Sequence, residues 1–334
     1  MGAARAAARG PPPSSSLLLS PLSSAMAAKA APAPAPGPTL RGDPAAFSAA
    51  LRGLLNSPRF SDVTFLVGKE RREVFAHRCL LASRCEYLGR LVEQKPPAPG
   101  GGGAPGRGPP PGEPVILDQV QPEVFLAVLE FLYTNSVPLN SRTALEVLTS
   151  AVEYGLKELR ELCVDFVAES LDVELVCEAL QVAVTFGLRV LQERCLGFIE
   201  RHTQDVLGTR GFHELSAPAL LPVLRSDRLD VDEAELIAAT RRWAHVSSAV
   251  LGRPVGEVAW PAVGELRLAL LSPRELSSLE EKNRQDQLIP VEQIAEAWKC
   301  HALQRGPAAR GPQCRRRRGT RPREHHRFFD SPPK

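Results

Sequence analysis

Residues 61–91 read SDVTFLVGKERREVFAHRCLLASRCEYLGRL, and this stretch decides the fold of the first part of the chain. It begins with Val63, Phe65 and Val67 at alternate positions, which is the spacing of a strand with one buried face. A second short strand is predicted over residues 73–76, and it runs into a helix whose apolar residues recur at helical spacing. Two strands followed at once by a helix predict a mixed α/β domain.

The residues downstream complete this domain and then change its character. Residues 115–117 form a compact apolar strand, and Pro122 is well placed as the first residue of a helix. Beyond residue 140 the apolar residues recur only at helical spacing. Capping-box spacing marks two later helix starts, at Asp232 with Glu235 and in the run Ser272-Pro273-Arg274-Glu275. We therefore predict a small mixed domain followed by an all-helical array.

Two low-complexity segments interrupt the globular pattern. Residues 1–45 are mainly Ala, Pro and Ser, which predicts a disordered extension. Arg5 and Arg9 also suit a mitochondrial transit peptide and the Leu run 17–19 a secretory one, but the prolines disfavour both. Residues 96–114 contain eight Pro and seven Gly, so they are predicted to form a flexible surface insertion.

The net charge of +3 is the average of unlike parts. The region between the two termini is acidic, whereas residues 301–334 are strongly basic. An acidic body argues against direct binding of nucleic acid, because a phosphate backbone requires a basic face. The basic run is predicted to be a nuclear-localisation signal, a solvated tail, or a tail that rests on the protein's own acidic body. The candidate signal consists of Arg315, Arg316, Arg317, Arg318, Arg321 and Arg323.

Cysteine usage and hydropathy bear on the compartment. The chain has seven cysteines, an odd number, and most lie within apolar helical patterns where a free thiol acts as a small hydrophobe. This indicates a reducing, intracellular setting, in the cytoplasm, the nucleus or both. No uncharged apolar run approaches the length of a membrane helix, so no membrane partner is expected.

The sequence offers little catalytic or metal-binding chemistry, and we predict no enzyme activity, no cofactor and no metal. No GxSxG elbow or P-loop is present. A literal GxGxxG lies in the insertion, but prolines follow it where a dinucleotide site needs a helix. The C-terminal cysteines and histidines are candidate zinc ligands, but they lack the CxxC or HxxxH pair that a zinc site favours. Those residues are Cys300, His301, Cys314, His325 and His326.

Four blocks of sequence resemble a BTB/POZ domain, and three more resemble the BACK domain that follows it in many proteins. The BTB-like blocks are SDVTFLVG, EVFAHRCLLASRCEYLGRL, VILDQVQPEVFLAVLEFLYTNSV and AVEYGLKELRELCVDFV. The BACK-like blocks are LVCEALQVAVTFGLRVLQERCLGFIERH, LLPVLRSDRLDVDEAELIAATRRWA and ELRLALLSP. The order and spacing of so many blocks make the resemblance specific.

The resemblance implies an α+β BTB/POZ domain followed by an all-α BACK helical domain, with disordered N- and C-terminal tails. A helix over Val291 to Leu303 extends the second domain. The expected division is a disordered extension over 1–45, the BTB/POZ domain over 46–168 with its insertion at 96–114, the BACK domain over 169–280, a helical extension over 281–304, and a basic disordered tail over 305–334.

The resemblance also implies sites for partners. Relatives commonly form homodimers through the N-terminal helix, here the helix that carries Phe47, Leu51, Leu54 and Leu55. Asp62 and His77 match positions near the central cleft of the dimer, where some relatives receive corepressor peptides. The alternative for this pair is structural, because both flank the joint between sheet and helix and can hold its local hydrogen bonds.

The function implied is a non-enzymatic protein-interaction module. Many relatives recruit client proteins to a cullin-type E3 ubiquitin ligase through a kelch propeller. Here the 31 residues after Leu303 are fewer than the roughly 50 of one kelch blade. The expected partners are therefore a second copy, a cullin N-terminal domain and an unknown client. In cullin-binding relatives a φ-X-Glu element lies just before the strand that corresponds to residues 115–117. In this chain the insertion occupies that position. Leu91-Val92-Glu93 matches the residue pattern but comes earlier in the chain. The alternative is a nuclear scaffold or transcription cofactor directed by the arginine tail.

Overall fold

A small sheet forms the start of the fold in the computed structural model, which describes residues 42–93, 113–303 and 312–330. The strands are β1 (Val63–Val67), β2 (Arg72–Ala76) and β3 (Val115–Leu117), in the order β2-β1-β3. β1 pairs antiparallel with β2 and parallel with β3. The strands predicted from the sequence are confirmed.

In the described residues of the first domain, six helices lie around the sheet. They are α1 (Pro44–Arg52), α2 (Arg78–Arg84), α3 (Glu86–Val92), α4 (Pro122–Thr134), α5 (Ala144–Glu153) and α6 (Lys157–Glu169). The alternation in β1 turns Val63, Phe65 and Val67 inwards, and all three are buried. The ring centroid of Phe65 lies 5.0 Å from that of Phe125 on α4, which joins the sheet to the central helix.

The first helix is shorter than its apolar spacing predicts. It ends at Arg52, because Gly53 follows and the last turn tightens: Leu54 and Leu55 donate their backbone N–H groups to residues three positions earlier, Leu51 and Arg52. Leu54 and Leu55 thus lie in the turn beyond α1 and pack, half-buried, against the core of their own domain.

Helices alone build the second domain, as the sequence predicts. They are α7 (Val176–Thr185), α8 (Arg189–Arg201), α9 (Thr203–Leu207), α10 (Arg210–His213), α11 (Ala217–Arg225), α12 (Glu233–Leu251), α13 (Val255–Val263), α14 (Pro273–Asp286) and α15 (Val291–Leu303), with a 3-10 turn at Leu268–Leu270. Helix α15 confirms the predicted extension, and Ser272 with Glu275 forms the predicted capping box of α14.

Trp243 and His202 are both predicted to lie in or near the core, but their environments differ. Trp243 is buried and donates its indole N–H to the carbonyl of Leu215 at 2.6 Å. His202 is exposed, because it follows α8 and stacks its ring on Phe198 at a centroid distance of 4.5 Å. The prediction for His202 is therefore wrong.

Several predicted segments fall wholly or mostly outside the described residues. They are the N-terminal extension up to residue 41, the insertion predicted over 96–114 up to residue 112, and residues 305–311 and 331–334 of the basic tail. Among the residues that the structure describes, no helix combines the length and the apolar character required to cross a bilayer.

Candidate protein-interaction surfaces

The predicted dimer helix lies on α4 through polar contacts. Ser48 donates its hydroxyl to the carbonyl of Thr134 at 3.2 Å, and Arg52 pairs with Glu130 at 2.6 Å. Phe47 points away from these contacts with 67% of its surface exposed, while Leu51 is half-buried. Of the four predicted interface residues, Phe47 therefore presents the free apolar surface, and the three leucines pack against the domain itself.

Asp62 and His77 each stabilise the joint between the sheet and α2. The Asp62 carboxylate accepts the backbone N–H of Arg78 at 2.7 Å. The backbone N–H of His77 donates to the Tyr133 hydroxyl at 3.0 Å, and His77 Nδ1 lies 2.8 Å from the same oxygen. Burial raises the pKa of Tyr133 to about 12, so its hydroxyl keeps its proton and can donate it to Nδ1. These contacts match the structural alternative for the pair.

The basic C-terminal residues show the largest difference from the sequence prediction. Residues 312–330, here called the C-terminal strap, lie against the second domain and include two 3-10 turns, Pro312–Cys314 and Glu324–His326, and the short helix α16 (Arg327–Asp330). The expectation of a disordered tail over 305–334 does not hold for this part. The reason is charge complementarity with an acidic stretch, which contains Asp227, Asp230, Asp232, Glu233 and Glu235.

Arg317 and Glu233 form an ion pair whose two side chains are both 0% exposed. Arg317 Nε lies 2.9 Å from Glu233 Oε2, and its two terminal nitrogens donate to the carbonyls of Ser226 at 2.6 Å and Glu265 at 3.0 Å. The other Glu233 oxygen accepts the backbone N–H of Arg267 at 2.7 Å. Burial lowers the pKa of Arg317 and Glu233 opposes that change. The pair is thus enclosed and fully hydrogen-bonded, as a buried charge requires.

Arg323 joins the starts of two helices. Its Nη2 donates to Asp232 at 2.8 Å and to Glu275 at 2.8 Å; Asp232 is the N-cap of α12, and Glu275 belongs to the capping box of α14. Burial opposes charge on all three groups, but their mutual hydrogen bonds raise the pKa of Arg323 and lower those of Asp232 and Glu275. Glu235, which the spacing assigned to a capping box, pairs instead with Arg321.

Backbone contacts hold the middle of the strap at close range. Arg318 and Gly319 donate their N–H groups to the carbonyls of Asp227 at 2.9 Å and Leu229 at 3.0 Å. A Cβ atom at position 319 would lie 2.0 Å from the backbone nitrogen of Val231. Only glycine can occupy this position without moving the strap or the chain beneath it.

Three histidines bind three successive carbonyl oxygens beside the 3-10 turn. The Nε2 atoms of His325, His326 and His301 lie 3.0, 2.9 and 3.0 Å from the carbonyls of Ala269, Leu270 and Leu271. Burial lowers the pKa of all three imidazoles, and that of His325 falls to about 4. Neutral imidazoles that donate from Nε2 are the form that fits these contacts.

The five residues weighed for zinc do meet in space, on α15 and the strap. Cys300 and Cys314 pack together beside Ala269, and the His301 and His325 rings lie 4.3 Å apart. No three His, Cys, Asp or Glu groups in the described part of the chain are arranged to hold a metal ion. The three Nε2 atoms are engaged by carbonyls instead.

The candidate nuclear-localisation residues differ in how far their side chains are exposed. Arg315, Arg316, Arg318 and Arg321 are exposed, while Arg317 is buried and Arg323 is held by two carboxylates. One of the three arrangements predicted from the sequence has the tail resting on the acidic body. The signal for it was the opposite charge of the two regions, but no spacing rule identifies which arginine meets which acid over more than 80 positions.

Comparison with known proteins agrees with this architecture. Residues 51–171 match the BTB/POZ domain family, and residues 176–281 match the family described as BTB And C-terminal Kelch, or BACK. Both domains are generally non-enzymatic, and BTB domains generally mediate dimerisation and binding to other proteins.

Individual relatives cover most of the chain. It is 67% identical to BTB/POZ domain-containing protein 19 of Bos taurus over 297 residues, which are 89% of this chain and 98% of the relative. The human protein of that name is 67% identical over 294 residues, covering 88% and 97%. BTB/POZ domain-containing protein 9 of Bos taurus is 30% identical over 198 residues, covering 58% and 30%. The chain therefore belongs to the family of BTB/POZ proteins that carry a BACK domain.

Proposed function

We propose that the chain is a non-enzymatic adaptor that dimerises through α1 and brings a client protein to a cullin-type ubiquitin ligase. The observation that carries the dimer is the exposure of Phe47 on a helix whose opposite side is held by Ser48 and Arg52. An aromatic side chain fixed in an exposed position offers a large apolar area at little entropic cost. A second copy of α1 supplies a matching surface around a twofold axis.

The proposed cullin contact lies at the end of α3. Leu91 and Val92 occupy the last turn of this helix, and Glu93 follows it with extended backbone and an exposed side chain. Glu93 thus exposes its side chain directly after the helix, earlier in the chain than the position just before β3 at which cullin-binding relatives carry the φ-X-Glu element. Surface charges of both signs surround it, including Arg90 and Glu86 on the same helix. Such a surface suits a polar, reversible contact.

Isothermal titration calorimetry of the full chain against a cullin N-terminal fragment tests this proposal. We expect a Kd well below about 10 μM. Glu93→Ala should weaken binding about tenfold or more, whereas Glu73→Ala, an exposed acid on β2, should leave it unchanged. No detectable heat at tens of micromolar, or equal effects of the two substitutions, would contradict the proposed role.

The nuclear-scaffold alternative depends on an accessible arginine run. Docking of Arg317 and Arg323 removes two cations from that run, which favours the adaptor. Replacing Arg315, Arg316 and Arg318 together by Ala leaves the docked arginines in place. We expect the distribution of a fluorescently tagged protein between nucleus and cytoplasm to stay the same. Loss of the nuclear fraction would support the alternative.

A further inference from the structure

Two cysteines meet where the C-terminal strap reaches α15. Cys300 on α15 is 4% exposed and Cys314 in the strap is 9% exposed, and both pack beside Ala269 and the ring of Phe329. Cys300 lies near the end of α15, and Cys314 lies in the first 3-10 turn of the strap.

The other cysteines have different environments. Cys79 is exposed, whereas Cys163, Cys177 and Cys195 are enclosed by the helical core. Burial raises the pKa values of those three thiols to about 12, 11 and 12, which keeps them protonated and unreactive. By contrast, the hydrogen bond from Cys300 lowers the pKa of Cys314 below that of a free thiol. A nucleophilic sulfur thus lies against a second thiol.

We propose that Cys300 and Cys314 are a redox-sensitive pair, and that hydrogen peroxide oxidises them to a disulfide that fastens the strap to α15. The inference rests on the packing of the two cysteines in one buried cluster and on their positions, one on α15 and the other in the strap. It is independent of the proposed dimer and cullin contacts, which lie in the first domain.

The chemistry balances with peroxide as the oxidant. The Cys314 thiolate attacks one peroxide oxygen, the O–O bond breaks, and water leaves after it gains a proton, so that Cys314 becomes a sulfenic acid. The sulfur of Cys300 then attacks the Cys314 sulfur, its proton goes to the leaving hydroxyl, and the S–O bond breaks as a second water departs. Two thiols lose two electrons and two protons in total, and one peroxide becomes two waters.

The disulfide would change the strap from a docked segment to a tethered one. Without it, the strap is held by ion pairs, backbone bonds and the three histidines. With it, a loop of about 15 residues is closed, and the undocked states of the strap lose most of their conformational freedom. The arginines from Arg315 onwards would then stay close to the acidic stretch in the oxidised protein.

Peptide mapping of the full chain tests the bond. The Cys79→Ser background removes the exposed thiol, and each protein is treated with peroxide, digested without reductant and analysed by mass spectrometry. We expect one linked pair of peptides, containing Cys300 and Cys314, with a loss of two hydrogens. The pair should vanish in Cys314→Ser and persist in Cys195→Ser. Recovery of Cys300 and Cys314 as unlinked or overoxidised thiols would overturn the proposal.

Hydrogen exchange of the same protein tests the consequence, with Cys300→Ser as the control variant. We expect amides of residues 317–326 to exchange about tenfold more slowly after oxidation, and reductant should restore the original rate. Cys300→Ser should show no response to peroxide. A disulfide that forms without slowing this exchange would overturn the fastening of the strap.

Discussion

The first helix and the C-terminal strap both lie on a domain, but through opposite kinds of contact. Helix α1 docks with polar groups and a half-buried leucine and leaves Phe47 exposed, whereas the strap buries Arg317 against Glu233 and covers the acidic stretch. An exposed aromatic on a fixed helix can meet a partner, but a buried ion pair already has one. The strap therefore completes its own domain, whereas α1 leaves an apolar side chain open to solvent.

Breaking the buried ion pair should give the largest effect. Arg317→Ala leaves Glu233 charged and enclosed, so we expect the free energy of unfolding to fall by about 3–5 kcal/mol. Urea denaturation followed by circular dichroism measures the loss. Arg315→Ala, with a side chain that is 72% exposed, is the matched control and should cost less than about 0.5 kcal/mol. Equal effects of the two substitutions would show that the strap contributes little to stability.

Replacing the strap's glycine should detach it without changing any charge. Gly319→Ala places a methyl group against the backbone of Val231, and we expect a loss of about 1–3 kcal/mol. Trypsin should then cut at the arginines of the strap well before it cuts the helical domain. Gly197→Ala on α8, where a Cβ meets no atom within 4 Å, is the control and should be neutral or slightly stabilising. Intact strap in the Gly319 variant would contradict the close contact.

Removing the exposed aromatic should weaken dimerisation and leave folding intact. Phe47→Ser is expected to raise the dimer dissociation constant about tenfold or more, which corresponds to roughly 1.4 kcal/mol or above. Light scattering over a concentration series measures the change. Phe60→Ser removes another exposed phenylalanine outside α1 and should have no effect. A dimer that survives the Phe47 change unaltered would exclude this face as the interface.

Acid should loosen the strap through its histidines, with the smallest effect of the four. The docked pKa of His325 is about 4, below the ordinary value of 6.5, so the undocked segment binds protons more readily. Stability from this contact is complete above about pH 6.5 and is lost as the pH falls towards 4. His326 and His301 shift in the same direction, and Arg323 lies near His325 and His326 as a fixed cation.

Thermal melting between pH 7 and 5 measures this effect. The carboxylates that bind Arg323 take up protons only at lower pH. We expect a decrease of about 1 kcal/mol, because the change to pH 5 covers only part of the range over which this stability is lost. His325→Gln retains an N–H donor for Ala269 and should flatten the dependence. An unchanged slope in that variant would show that other groups govern it.

Local pattern and charge made most of the fold predictable. Alternation at Val63, Phe65 and Val67 gave β1, and Ser272 with Glu275 marked the start of α14. The end of α1 was missed because apolar spacing continues through Leu54 and Leu55 although the helix does not. The strap could be predicted only as one of three alternatives, because the pairing of Arg317 with Glu233 depends on tertiary structure across 84 positions.

The buried Arg317–Glu233 pair also changes where the second domain ends. The family match stops at residue 281, and a truncation designed on that boundary, or after α15, would look conservative. It would nevertheless remove the cation that pairs with the buried Glu233, and it would strip Arg323 from Asp232 at the start of α12 and Glu275 at the start of α14. The cooperative unit therefore extends through the strap, and a premature stop after residue 311 should act as a folding defect in the helical domain rather than as the loss of a dispensable tail.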